Sequence, residues 1–455
     1  MVSNDRGPGV FPRCNFISFG VDHINFGIAA QHNLILSFIK HLYIPLPWRG
    51  VGVLCTRTGW SVFIFENVLL TTSVNFSGGM PSSKQKSSYF YGSMKILRRI
   101  FPFLLLAYHL LFAWIGYQFI LTHHGDAERY WFLGQDLSAS SWIDFLKPGT
   151  DVVKFLTFPL VKFFNLAFWS GFLLFSLISF AGVLILYRMM MRIAGANIKL
   201  QVLVLVLMLL PNLHFWTSLI GKEALILIPL TVFCAELSRK RYFSMVLIIS
   251  VLAVAVIRPH VAFVLSLTYV LALLLTFPLS LKRKAMVLGG LALMTGLFTW
   301  LLNSVQDFSG GFQRVLQKYE AHIRYFKTTD GYVPLDAYPL PAKLFTFYFR
   351  PQPLERSGLF YHVVSTENLL LLLIAGFTLW YGLRYFAELR SRLLFVFPLL
   401  FMTALGLMYV YAYANYGIIM RTRIMTTPFL YLFILQVLTE EKSKAPAVKV
   451  SQAPD

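Results

Sequence analysis

Long apolar runs recur from Met94 to the end of the chain, and they limit the folds that it can adopt. The first is "MKILRRIFPFLLLAYHLLFAWIGYQFIL", in which a basic tip precedes an apolar stretch. About 20 apolar residues are needed for a helix to cross the hydrocarbon core of a bilayer. The chain is also 57% hydrophobic and 13% charged, with a mean hydropathy of +0.65. We therefore predict an all-α, polytopic integral membrane protein.

The positions of the apolar runs predict about ten transmembrane helices. These are expected at residues 100–121, 166–187, 200–219, 224–238, 243–257, 261–280, 285–302, 367–386, 393–413 and 424–438. With a cytoplasmic N-terminus, the even-numbered connections are cytoplasmic and carry Arg188/Arg192/Lys199, Arg239/Lys240/Arg241, Lys282/Arg283/Lys284 and Arg384/Arg390/Arg392. This agrees with the positive-inside rule. Residues 439–455 are then a disordered cytoplasmic tail.

Residues 1–93 differ from the transmembrane domain predicted at 94–438. They contain no apolar run of about 18 residues, as a membrane helix needs, and Glu66 interrupts "WSVFIFENVLL". We expect a non-native or disordered extension; a cleaved targeting segment is the alternative, although its ordered signal regions are missing. Three cysteines without ligand spacing, Cys14, Cys55 and Cys234, offer little support for redox chemistry or structural zinc.

Several cations remain after the cytoplasmic connections have been counted. In a soluble protein the net charge of +20 would suggest nucleic acid, but here much of it anchors the chain in the bilayer, and no nucleic-acid partner is predicted. An unpaired charge within a membrane costs about 3 kcal/mol. We expect the remaining polar groups at the outer helix ends to converge on one exoplasmic cavity: Lys222, Glu223, Arg258, His260, Arg421 and Arg423.

Two long connections, 122–151 and 303–366, are predicted on the same outer side. The first contains "HHGDAERYW", with Asp126 and Glu128 just after the first helix. The second begins with "FQRVLQKYEAHIRYFK", whose apolar residues follow helical spacing and predict an interfacial helix. In the following "AKLFTFYFRPQPLE", aromatic residues surround Arg350, and the prolines exclude a continuous helix.

Outward-facing cations beside carboxylates suit a phosphate-bearing substrate that is presented from the bilayer. Arginine binds phosphate oxygens in a bidentate manner, and glycosyl transfer needs a base for the acceptor hydroxyl. We therefore predict a polyprenyl-pyrophosphate-linked sugar as the substrate, with Asp126 as the first candidate for the base and Glu128 as the second. The predicted substrate-binding residues are Lys222, Glu223, Arg258, His260, Arg421, Arg423, His214, Arg350 and Asn415.

The same motifs resemble a known group of enzymes. "GDAERYW" resembles the first-loop acidic motif of GT-C type glycosyltransferases. "PNLHFWTSLIGKEA", "IRPH", "FYFRPQPLE" and "NYGIIMRTR" look like bacterial membrane proteins of exopolysaccharide and O-antigen repeat-unit polymerisation. The resemblance implies an inner-membrane enzyme that joins undecaprenyl-pyrophosphate-linked oligosaccharides, with essential arginines at Arg258, Arg421 and Arg423. The sequence departs from GT-C enzymes in lacking a clear soluble C-terminal domain and a sharp DxD motif in the first loop, so the resemblance leaves metal dependence open.

Each candidate residue also has a structural interpretation. Asp126 and Glu128 suit a solvated helix cap, Lys222 and Glu223 suit a helix start, and His214 suits a hydrogen bond within the bundle. Glu223 can neutralise Arg258. Because Arg421 and Arg423 are two residues apart, only one should face the site, and the other is expected to meet lipid phosphates. No histidine spacing supports a metal, so no cofactor is predicted and metal dependence stays open.

Two other functional classes fit the same charges. A transporter or flippase would use them along a permeation path, and a non-catalytic subunit of a polysaccharide assembly complex would use them for contacts. Transporters often contain repeated halves. The chain shows no repeat and places its charges at outer ends, which favours an enzyme that works with the bilayer and with polysaccharide export or assembly proteins.

Overall fold

The computed structural model describes residues 83–133, 141–305 and 311–444, and these ranges are helical. The helices are α1 (Ser83–His123), α2 (Asp126–Phe132), α3 (Asp151–Lys162), α4 (Phe168–Ala194), α5 (Ile198–Met208), α6 (Pro211–Thr217), α7 (Lys222–Ser238), α8 (Met245–Ile257), α9 (Pro259–Thr276), α10 (Leu281–Val305), α11 (Gly311–Lys327), α12 (Leu340–Phe349), α13 (Leu359–Arg384), α14 (Phe386–Leu389), α15 (Leu393–Ala412), α16 (Tyr416–Thr422) and α17 (Thr427–Lys444). Short 3-10 turns lie at Trp142–Phe145, Leu335–Ala337 and Arg423–Thr426.

Six helical segments of the described chain are long and apolar enough to cross a membrane. They are Ile96–His123, Phe168–Ala194, Pro259–Thr276, Leu359–Arg384, Leu393–Ala412 and Tyr416–Thr439. Helices α5 and α6 add a seventh if this pair, bent by 43°, forms one broken span. The helical, multi-pass character agrees with the sequence prediction, whereas ten spans are not confirmed. One reason is length: α7 has 17 residues and α8 has 13.

Helix α7 lies at the centre of the bundle. Its residues from Ala224 to Leu227 and from Pro229 to Thr231 are all buried, and it packs against α4, α8, α6 and α17. A helix that is apolar on every side is most stable when other helices surround it and bury all of its faces. Glu223 in its first turn and Glu236 in its last are both buried. The central helix therefore places a buried carboxylate near each end of the bundle.

The basic connections and the candidate site residues lie at opposite ends of the same helices. Helix α7 begins at Lys222 and ends just before Arg239, and α9 begins after Arg258 and runs towards the basic start of α10. Hydrogen bonds join the basic ends to one another: the Tyr187 hydroxyl donates to the Arg98 carbonyl at 3.4 Å. The connections at one end of the bundle therefore carry the excess of Lys and Arg that the positive-inside rule uses to orient a membrane protein.

Other predicted segments are partly described. Helix α1 begins at Ser83, ahead of Met94, while residues 1–82 and 445–455 lie outside the described residues. The predicted amphipathic segment forms α11, and its Ile323 and Phe326 are buried against Ala414. Helix α12 ends at Phe349, just before Arg350 and the proline that follows it.

Candidate functional site

Four charged side chains from separate parts of the chain meet at the end of the bundle that lies away from the basic connections. Glu223 Oε1 accepts hydrogen bonds from Arg258 Nη2 and, at 2.7 Å, from Arg421 Nε. Arg421 Nη1 donates to Asp126 Oδ2 at 2.6 Å. We call Asp126, Glu223, Arg258 and Arg421 the charge network. It joins α2, α7, the junction of α8 with α9, and α16.

Exposure increases along the charge network. The side chains of Glu223 and Arg258 are 3% and 8% exposed, whereas those of Arg421 and Asp126 are 21% and 44% exposed. Removing one partner from a buried ion pair leaves an uncompensated charge, while a solvated pair contributes little to stability. The Glu223–Arg258 pair is therefore fixed in position. The Arg421–Asp126 pair can exchange its partners with solvent or with a ligand.

Two further groups extend the buried half of the charge network. Arg258 Nη1 donates to the Tyr409 hydroxyl at 3.0 Å, and that hydroxyl is 3.1 Å from His260 Nε2. His260 is therefore connected to the charge network through the phenol of Tyr409. Within the described residues, Arg258 Nε is buried without a partner. A buried donor without an acceptor costs about 1–3 kcal/mol, so a water or ligand oxygen would be stabilised there.

Lys222 adds a cation beside the network. Its Nζ donates to Thr150 Oγ1 at 3.1 Å, which ties the start of α7 to the loop before α3. Lys222 also interacts electrostatically with all four members of the network. Lys222, Arg258 and Arg421 face the carboxylates of Asp126 and Glu223, which leaves one positive charge in excess.

Local sequence explains how these side chains reach one place. Arg258 has extended backbone between α8 and α9, and Pro259 suits the first position of a helix because it lacks an N–H. Asp126 opens α2, whose Tyr130 and Trp131 are buried beneath it. Burial, reinforced by the charge of Asp126, raises the pKa of Tyr130 to about 12, so Tyr130 stays a neutral phenol.

Close packing of α2 on α4 depends on Gly171. A Cβ at that position would lie 2.4 Å from Trp131 Cζ3. We expect Gly171→Ala to lower the free energy of unfolding by about 1–3 kcal/mol through overpacking and to shift α2, which carries Asp126. Thermal unfolding of the purified protein measures the effect. Gly376→Ala is the matched control, because its Cβ would meet nothing within 4 Å; equal stability of the two variants would contradict the packing role.

An anion is the ligand class that this site favours, because the excess charge is positive and the guanidinium of Arg421 is partly exposed. No family model, curated protein or solved structure matches this chain. The chemistry of the charge network is therefore the basis for assigning a function.

Arg423 lies apart from the charge network. It is buried, and its Nη1 donates to the Tyr348 carbonyl at 3.1 Å. With Glu367 and Asn212 it lines a cavity of about 20 Å³, and among the described residues its Nη2 has no partner. The expectation that the second arginine meets lipid phosphates is wrong, because protein surrounds Arg423. A cavity of this size holds about one water.

His214 lies in a separate buried cluster. Its Nε2 donates to the Met208 carbonyl at 2.7 Å, so its Nδ1 accepts from His109 Nδ1 at 2.9 Å. His109 Nε2 in turn lies 2.8 Å from Ser179 Oγ. These bonds join α6 to α1 and α4, as the structural interpretation of His214 expects.

The other candidates also have partners away from the charge network. Glu128 pairs with His124 at 3.0 Å on the exposed side of α2. Arg350 Nε donates to both oxygens of Glu355, at 2.8 and 2.9 Å. Asn415 Oδ1 accepts from the Gly417 N–H at 2.8 Å and caps α16, so Asn415 positions the helix that carries Arg421. Among the described residues, no group of three or more His, Cys, Asp and Glu is placed to hold a metal.

Three residues at or near these sites were missing from the sequence prediction. Glu367 carried a signal, since it is an ionisable side chain at the start of an apolar run that is long enough to cross a membrane, where such a group marks a functional or paired position. Tyr409 and His109 lie within apolar runs, and only the fold shows which partners they meet.

Proposed function

We propose that the protein is a membrane glycosyltransferase or polysaccharide polymerase that uses polyprenyl-(pyro)phosphate-linked sugars at the exoplasmic face. One observation carries the proposal. Arg421 is fixed on one side by buried Glu223 and bonded on the other to the partly exposed Asp126. A cation and a candidate base are thus held together at the end of a membrane bundle.

Arg421 is the proposed phosphate-binding residue. Glu223 orients the guanidinium through Nε, so the remaining N–H groups can bind an incoming phosphate. The phosphate would replace Asp126 as the partner of Arg421, because both are anions and this half of the network is partly exposed. Arg258 acts through Glu223 as a positioning residue, and Lys222 supplies the second cation near the phosphate.

Displacement from Arg421 would give Asp126 its catalytic role. Once Arg421 is bound to the phosphate, Asp126 Oδ2 is free to accept a hydrogen bond from the acceptor hydroxyl. Asp126 then accepts the proton of the acceptor hydroxyl, whose oxygen attacks the anomeric carbon. The bond from that carbon to the pyrophosphate oxygen breaks, and the lipid pyrophosphate leaves with the electron pair, stabilised by Arg421 and Lys222.

The distribution of charge supports the exoplasmic placement. The charge network lies at the opposite helix ends from the four basic connections. Under the positive-inside rule the basic ends are cytoplasmic. The proposal therefore has cytoplasmic termini in a bacterial inner membrane, with polysaccharide export or assembly proteins as possible neighbours.

Complementation of a deletion strain tests the function. The wild-type chain should restore long surface glycans, whereas Arg421→Met should accumulate unextended lipid-linked oligosaccharide on the outer leaflet. The measurement is glycan length by gel electrophoresis, with leaflet accessibility determined by a lectin that does not cross the membrane. Arg421 is the most informative residue to substitute, because Glu223 still has its ion pair with Arg258 when Arg421 is replaced.

Arg324→Met is the matched control, since Arg324 is exposed and, in the part of the chain that the structure describes, its ion pair is with the exposed Glu320 at 3.7 Å. It should behave as wild type. Accumulation on the inner leaflet would instead identify a flippase. Normal glycan length in Arg421→Met would remove the enzymatic proposal.

A further inference from the structure

An apolar groove lies beside the charge network. We call it the lipid groove; it encloses about 370 Å³ and is lined by Phe145, Leu146, Lys147, Pro148, Val152, Phe155 and Val256. Its wall comes from the 3-10 turn at 142–145, from α3 and from the end of α8. Lys147 is its one charged lining residue, and that side chain is exposed.

Hydrogen bonds and chain connectivity link the lipid groove to Lys222 and to Arg258. The Gly149 N–H donates to the Val256 carbonyl at 2.8 Å, which fixes the loop of the groove to α8. The next residue of that loop, Thr150, accepts the hydrogen bond from Lys222. Val256 itself precedes Arg258 by two residues. The loop from Lys147 to Thr150 thus brings one lysine to the groove lining and is hydrogen-bonded to a second, Lys222.

An exposed apolar stripe on α8 continues the groove along the bundle. Ile248, Leu252 and Val256 are spaced by four residues, lie on one face of α8 and are exposed. The stripe runs from the groove along α8 towards the basic end of the bundle.

A second groove shows what distinguishes the first. It lies between α1 and α4, also encloses about 370 Å³, and is lined by Leu110, Ala113, Trp114, Tyr117, Trp169, Phe172 and Leu173. This lining contains no charged residue. The two grooves therefore have the same volume and are both apolar. Of the two, the lipid groove alone has a lysine in its lining and a hydrogen-bonded link to Lys222.

We propose that the lipid groove binds the hydrocarbon tail of the polyprenyl-phosphate-linked substrate, with its phosphate reaching Lys147 and Lys222. This assignment rests on the proposed function, and it adds the route by which the substrate enters the charge network. Apolar burial supplies the affinity for the tail, and the lysines select a phosphate at its end.

Photolabelling of the full chain in nanodiscs tests the assignment. The label is a C55 polyprenyl phosphate with a diazirine in its tail, and labelled peptides are identified by mass spectrometry. We expect label on the peptides that contain Val152 and Val256, competed by unlabelled polyprenyl phosphate and not by phosphatidylglycerol. Val152→Trp, which fills the groove, should reduce this labelling at least tenfold. Leu173→Trp fills the second groove and is the control that should leave it unchanged.

The outcomes separate the groove from the proposed function. Equal competition by phosphatidylglycerol, or unchanged labelling of Val152→Trp, would overturn the groove and identify it as a site for bulk lipid. Specific labelling in a protein that extends no glycan would support lipid binding in the groove and contradict the proposed enzymatic function. Glycan extension with labelling elsewhere would keep the enzyme and remove the groove.

Discussion

Asp126→Asn is expected to stop turnover while tightening the binding of a phosphate ligand. The amide does not accept the hydroxyl proton, and a positioned general base contributes about 10²–10⁴-fold to a rate. The same change removes the carboxylate that occupies Arg421 at 2.6 Å in the free protein. An ion pair as exposed as this one contributes about 0.2–1 kcal/mol, so inorganic pyrophosphate should bind up to about fivefold more tightly.

Calorimetric titration of purified protein with inorganic pyrophosphate measures the affinity, and transfer of labelled sugar measures the rate. Glu128→Gln is the matched control, because Glu128 is on the same helix but pairs with His124. It should change neither quantity. Weaker pyrophosphate binding by Asp126→Asn would show that Asp126 does not compete for Arg421, and the exchange step would be removed from the mechanism.

The opposite directions of Arg421 and Arg423 illustrate what the sequence could and could not predict. Their spacing of two residues predicted that only one would face the site, since neighbouring positions on a helix diverge. The carboxylate that shares a cavity with Arg423 was not predictable from that spacing, because Glu367 is on a distant helix. Only the packing of α13 against α17 brings the two to one cavity.

The gathering of the charge network was predictable for a physical reason. Charges at the helix ends of a membrane protein need partners, so Glu223, Arg258 and Arg421 were expected to meet, with Asp126 on the adjacent loop as the candidate base. The number of spans was harder to predict, because apolar runs do not reveal where a helix breaks. The break before Pro211 and the turn at 218–221 both lie within apolar sequence.

The break between α6 and α7 also explains why a carboxylate is found so deep in the protein. Gly221 is extended and lets Glu223 lie close by; a Cβ there would be 3.2 Å from Glu223 Oε2. Glu223 is then in the first turn of α7, where the helix dipole favours a negative charge. The two arginines complete its stabilisation, so the break that shortens the span also creates the site.

Glu223→Leu is expected to cause the largest loss of stability, because it leaves buried Arg258 without a counter-ion. Breaking a buried ion pair from one side costs about 3–5 kcal/mol of the free energy of unfolding. Arg258→Met should cost less, since Glu223 keeps its ion pair with Arg421 at 2.7 Å.

The double variant Glu223→Leu/Arg258→Met should recover most of the lost stability, because apolar groups replace the buried pair and Arg421 keeps its ion pair with Asp126. Its activity should stay absent, because Arg421 has lost the carboxylate that orients it. Unfolding in mixed micelles measures all three variants, and additive losses in the double variant would show that Glu223 and Arg258 do not act as a pair.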